Sequence, residues 1–151
     1  MRRVGHEANC AVSLSIPQVD LEHQEMLELA RALKLALEAG FSRHECHKKL
    51  CLLIKSTEIH FSSEEQLMLS SRYPGYQAHK TEHARLLAQL QLVEKEFASR
   101  AVHPCGALST FLEVSAVHHM RGPDKHFAVF LSQRTPAGQG RCRKCGNEDS
   151  S

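Results

Sequence analysis

The feature that most constrains this chain is where its histidines and acids fall along helical periods. Between residues 20 and 97, three stretches carry apolar side chains at three- and four-residue spacing, the signature of helices with one buried face. The first stripe runs His23, Met26, Leu27, Ala30, Leu33 and Leu37. The second runs Leu50, Leu53, Ile54, Thr57, His60, Phe61, Glu64, Leu67 and Met68. The third runs Tyr76, His79, His83, Leu86, Leu87, Leu90, Val93 and Phe97. Histidine and glutamate thus occupy positions that should face a core. A buried ionised carboxylate costs several kcal/mol unless it is paired or metal-bound.

The boundaries follow from capping chemistry. Residues 1–18 read as irregular, and Asp20 suits the positive end of the first helix. Gly40 is a C-cap for that helix. Ser42 with Glu45 forms a capping box for the second, and Tyr73-Pro74-Gly75 is a turn. Pro104 precedes a fourth helix from about Cys105, carrying Leu108, Phe111, Leu112, Ser115 and His119. Gly122-Pro123 must break or kink it, and a short helix resumes through Phe127, Phe130 and Leu131. No strand-like alternation or internal repeat is present. The expected fold is all-α: an antiparallel up-down four-helix bundle over residues 1–134 with a short C-terminal helix. Residues 135–151 are expected to form a flexible, disordered basic tail containing Cys142 and Cys145.

Taken singly, each polar residue has a bland explanation. A lone histidine is commonly a half-buried one, and an isolated His-x3-Glu pair is usually solvated. Taken together, His60 with Glu64 and His79 with His83 each project two groups from one helical face, and His23 faces them. Imidazole with carboxylate is a transition-metal ligand set suited to a bundle core. The fourth helix leaves a choice. His118 and His119 point about 100° apart, and either could face inward. His119 continues the Leu108, Leu112, Ser115 row and is preferred. Asp124 lies just past the Gly122-Pro123 break, which could swing its carboxylate toward the core.

At this point the chain resembles the hemerythrin family. The matching segments are Val19-Asp20-Leu21-Glu22-His23 and His60-Phe61-Ser62-Ser63-Glu64-Glu65-Gln66-Leu67-Met68. Tyr73-Pro74-Gly75-Tyr76 then leads to His79 and His83, and His119-Met120-Arg121-Gly122-Pro123-Asp124-Lys125 closes the set. Together they span about residues 12–131, and the long stretch between His83 and His119 resembles the bacterial single-domain members, the bacteriohemerythrins. The resemblance implies two iron ions with an oxo or hydroxo bridge. His79, His83 and His119 would hold one, His23 and His60 the other, and Glu64 and Asp124 would bridge both. The second iron would keep an open position for dioxygen. The implied function is reversible dioxygen binding for oxygen carriage, storage or delivery, by a binding protein rather than an enzyme. The alternatives are a di-iron peroxidase, ferroxidase or nitric-oxide-handling enzyme, and an oxygen, iron or redox sensor. Five neutral imidazoles and two carboxylates give less anionic charge than carboxylate-rich oxidases have, which favours binding over oxidation.

The chain departs from the family in three places. Ser115 stands where tryptophan is usual, Met120 where isoleucine is common, and an aromatic before the first helix is missing. A larger or wetter pocket and faster autoxidation are the expected consequences. Outside this set, His44, His47, His103 and His126 read as solvated, and Cys46 and Cys51 as reduced helix residues. Cys142-Arg143-Lys144-Cys145 is a single CxxC without the second pair a zinc site needs; its basic neighbours could make it redox-responsive.

Bulk properties narrow the partners. Net charge is only +2 with eleven histidines counted as neutral, which gives no footprint for nucleic acid. No apolar run approaches the roughly 18 residues of a membrane span. Met1–Glu7 is not followed by a signal-peptide apolar core. Scattered cysteines in a chain with a sufficient core point to a reducing cytoplasm. Expected partners are dioxygen and an oxygen-consuming enzyme, with the protein a monomer or small homo-oligomer.

Overall fold

The computed structural model describes residues 13–99 and 111–134, and every regular element among them is helical. Helix α1 spans Pro17–Glu38, α2 Arg43–Ser70 and α3 Tyr76–Ala98. A π-helical turn, Phe111–Ala116, runs into α4, Val117–Arg121, and α5 covers Pro123–Arg134. The expected start of the fourth helix near Pro104 and Cys105, the Leu108 position, Cys10, His103 and the tail with Cys142 and Cys145 lie outside the described residues.

Helix α1 begins earlier than the sequence suggests. Pro17 occupies its first turn, where a missing N–H is no loss. Asp20 ties down the preceding segment instead of capping: its carboxylate accepts from the Leu14 N–H at 2.6 Å and the Ser13 hydroxyl at 2.9 Å. Gly40 sits one residue past the C-cap at φ +73°. Its N–H reaches Leu37 O and the Phe41 N–H reaches Ala36 O, a complete Schellman closure. The Ser42–Glu45 capping box is present at the start of α2.

The apolar cluster gathers Leu33, Ala36 and Leu37 from late α1, Cys46, Leu50 and Leu53 from early α2, and Leu90, Val93 and Phe97 from late α3. The same pairing of ends shows in polar contacts. Glu22 and His23 of early α1 meet His60 and Ser63 of later α2. His47 of early α2 meets Glu94 of late α3. Helices α1 and α2, and α2 and α3, therefore run in opposite directions through these contacts. No helix among the described residues is long and apolar enough to cross a membrane.

The break after α4 is a single residue wide. Gly122 ends α4 and Pro123 opens α5, so Asp124 stands in the first turn of α5 and is fully buried.

Candidate metal centre

All seven residues singled out as ligands lie in the interior and converge. His23, His60, Glu64, His79, His83, His119 and Asp124 are each at most 4% exposed. The donor atoms of Glu64, His79, His83, His119 and Asp124 fall within one cluster, and those of His23, His60 and Asp124 within a second. Asp124 belongs to both. Glu64 Oε2, in the first cluster, is also 4.0 Å from His60 Nε2 in the second.

The distances around the two carboxylates are short. Asp124 Oδ1 lies 2.9 Å from His119 Nε2 and 3.0 Å from His79 Nε2, while its Oδ2 lies 3.1 Å from His23 Nε2. Glu64 Oε2 lies 3.2 Å from His83 Nε2 and 3.3 Å from His79 Nε2. Yet both oxygens of Glu64 and of Asp124, and the Nε2 atoms of His79, His83 and His119, lack a hydrogen bond of acceptable geometry. Adjacent ligands about 2.1 Å from one octahedral ion stand roughly 3.0 Å apart. These contacts therefore fit edges of a coordination shell better than hydrogen bonds.

The outer faces of two histidines bear on the same question. His60 Nδ1–H donates to Glu22 Oε2 at 3.0 Å, and His83 Nδ1–H donates to Glu65 Oε1 at 3.1 Å. With the proton on Nδ1, a neutral ring presents a bare Nε2 lone pair inward. His83 then aims that lone pair at a carboxylate oxygen. A metal ion between the two, or a second proton on the ring, makes this arrangement favourable, and a carboxylate behind the ring is the usual support of a metal-bound histidine. The residues present thus fit a metal centre.

Electrostatics agree. Burial would raise the Asp124 carboxyl, but His119, His23 and His79 beside it hold it well below the usual range. Burial acts likewise on Glu64, and His79 and His83 outweigh it. Burial would depress His79, but Asp124 and Glu64 overcome it and raise it to about 9. Burial and the neighbouring His23 push His60 down, despite Glu64 and Glu22. Without a metal the cluster therefore holds protons where a cation would otherwise sit.

Of His118 and His119, the one that faces inward is His119, which is buried while His118 is exposed. The expected inward row is only partly right: Ser115 is half-buried, and its neighbour Ala116 faces the core with Phe111. Sequence reasoning also missed the supporting residues. Glu22, held by Gln18, Ser63 and His60, is 9% exposed. Its position three after Val19 and four before Met26 was an available signal. The Phe61 ring stacks on His83 with centroids 3.9 Å apart and planes 7° from parallel.

A cavity of about 10 Å³ opens beside the centre, close to the smallest space that holds one water-sized molecule. The candidate ligands His23, His60, His119 and Asp124 line one side of it. The rest of its wall is Met26, Phe61, Leu86, Phe111, Ala116 and Met120, all apolar. Ser115 is not part of that wall.

Residues 14–131 match the family model described as the hemerythrin HHE cation binding domain. The chain is 28% identical over 113 residues to a bacteriohemerythrin of Methylococcus capsulatus, covering 75% of this chain and 86% of that one. A bacteriohemerythrin of Ralstonia nicotianae is 28% identical over 126 residues, 83% and 88% of the two chains. One of Stenotrophomonas maltophilia is 25% identical over 117 residues, 78% and 75%. No solved structure gives a significant match.

Proposed function

The chain belongs to the hemerythrin family, and on that premise we propose that it is a non-haem di-iron protein that binds dioxygen reversibly, for carriage, storage or delivery. His79, His83 and His119 hold one iron, His23 and His60 the other, and Glu64 and Asp124 bridge them. Residues 111–121 belong to the fourth helix of an antiparallel up-down bundle. When bound, the two ferrous ions supply the electrons that dioxygen takes up.

The observation that carries the reading is the small cavity that His23, His60, His119 and Asp124 line on one side and apolar side chains on the other. His23 and His60 would supply fewer histidine donors to their ion than His79, His83 and His119 to the other, which would leave room there for dioxygen. Met26, Phe61, Leu86, Phe111, Ala116 and Met120 exclude water and offer no proton to a bound molecule. Such a wall supports release of dioxygen unchanged over its reduction. Glu65 accepts from the outer face of His83 and pairs with Lys80, Glu22 accepts from the outer face of His60, and neither lines the cavity. This disfavours the peroxidase alternative. Glu22 and Glu65 keep the protons of His60 and His83 on Nδ1, which orients both Nε2 atoms inward.

The test is a cycle of oxygenation. The chain is loaded with ferrous iron without air, exposed to dioxygen, then purged, while the visible spectrum is followed. A ligand-to-metal band that appears and disappears over repeated cycles is expected. One-way conversion to the ferric form with release of hydrogen peroxide would favour the enzyme reading and overturn carriage.

A further inference from the structure

A second group of ligand-type side chains lies far from the centre described above. His47 and Cys51 stand one turn apart on α2, and Glu94 faces them from α3. His47 Nε2 is 2.6 Å from Glu94 Oε1 and 3.8 Å from Cys51 Sγ. His47 lies thirteen residues before His60, about 20 Å along the helix axis at 1.5 Å per residue. The three side chains thus share nothing with the buried cluster.

The geometry distinguishes between two uses of a thiol, an imidazole and a carboxylate. A nucleophilic relay needs the carboxylate on one ring nitrogen and the thiol on the other. Here both lean on the same atom, Nε2, so no relay is built. Three donors converging on one point are instead what a cation requires. In a tetrahedral zinc site, bond lengths near 2.3 Å to sulfur and 2.05 Å to nitrogen place those two atoms roughly 3.6 Å apart. The observed 3.8 Å is close. The nitrogen and carboxylate oxygen would stand roughly 3.3 Å apart, so Glu94, about one-third exposed, need only back away by a rotamer adjustment.

We infer that His47, Cys51 and Glu94 form a zinc-type divalent metal site, separate from the buried centre, with its fourth position open to solvent. One sulfur, one nitrogen and one oxygen donor suit a borderline-soft ion such as Zn²⁺ better than a hard cation. Binding releases the Cys51 thiol proton to solvent and leaves His47 neutral. The adjoining groove, about 420 Å³ and lined by Arg43, His44, His47, Phe97 and Ala98, leaves room for a water or an external ligand. The nearby Arg43 guanidinium is occupied by the Phe97 carbonyl and ring.

Cobalt(II) is the probe, because thiolate-to-cobalt charge transfer reports a sulfur ligand and the buried centre has none. The full chain carrying Cys142→Ser and Cys145→Ser, first loaded with iron, is titrated with Co²⁺. One equivalent should give a near-ultraviolet charge-transfer band that zinc abolishes in competition. Cys51→Ser should remove the band. His47→Ala should weaken cobalt binding by at least about tenfold, no less than the loss of an outer partner of a ligand brings. Circular dichroism should show both variants folded, since both positions lie outside the core. Absence of the band, or its persistence in Cys51→Ser, overturns the inference. If iron fails to load, cobalt in the buried centre adds no thiolate band, so failure of that reading stays distinguishable.

Discussion

Glu22 and Glu65 do for His60 and His83 what ligand lists leave out: each fixes which ring nitrogen carries the proton. Removing such an outer partner typically costs about 10–100-fold in metal affinity. Glu22→Ala should therefore weaken iron binding within that range, measured by chelator competition, and Glu22→Gln should recover most of it, because its amide oxygen still accepts from Nδ1. Unchanged affinity in Glu22→Ala would contradict the assignment. His79 gives a pH dependence with a definite sign. In the metal-free chain it is raised from 6.5 to about 9 by Asp124 and Glu64 acting against burial. The stability it contributes is complete below 6.5 and is lost as pH rises through 9. Denaturant titrations of the metal-free chain should show that fall, and iron affinity should rise over the same window as the competing proton leaves. Of the seven inward residues, five were legible from helical period alone: His23, His60, Glu64, His79 and His83. His119 and Asp124 rested on the family resemblance, because period could not separate His119 from its neighbour and Asp124 lies past a helix break.

At the scale of elements, the π-helical turn explains why His118 and His119 were ambiguous. An unbroken α-helix continuing from Phe111 would bring Ser115 and His118 round to the Phe111 face at 100° per residue. The wider turn at Phe111–Ala116 inserts one extra position, and Ala116 and His119 arrive there instead. π-Helical turns of this kind are frequent at functional sites and leave no reliable trace in hydrophobic spacing. Deleting the exposed Val114 should convert the turn to α-helix while keeping Ala116 and His119 inward, so both irons are retained. Inserting an alanine after Val114 should instead turn His119 away and lower the iron content. Elemental analysis of the two variants separates the outcomes; equal iron in both would show that the turn does not set the register. The other boundaries were easier to read because they rest on local chemistry. The Ser42–Glu45 box and the left-handed Gly40 need no tertiary information.

Across the whole molecule, the described helices divide into two ends. The α1–α2 turn end is filled with apolar side chains, and the other holds five imidazoles and the carboxylates of Glu22, Glu64 and Asp124. The apolar end specifies the helix pairing through ordinary packing, which is why three helices and their order were readable from the stripes. The polar end makes sense only with positive charge inside it. The exposed cluster at His47, Cys51 and Glu94 was not readable, since it depends on α3 bringing Glu94 across to α2. The central claim is that two cations share Glu64 and Asp124. Crystals of the iron-loaded chain, measured at the iron absorption edge, test it most directly. Two anomalous peaks are expected, one at bonding distance from His79, His83 and His119, the other from His23 and His60, with both carboxylates touching each. A single peak, or peaks only outside these seven residues, would contradict the account.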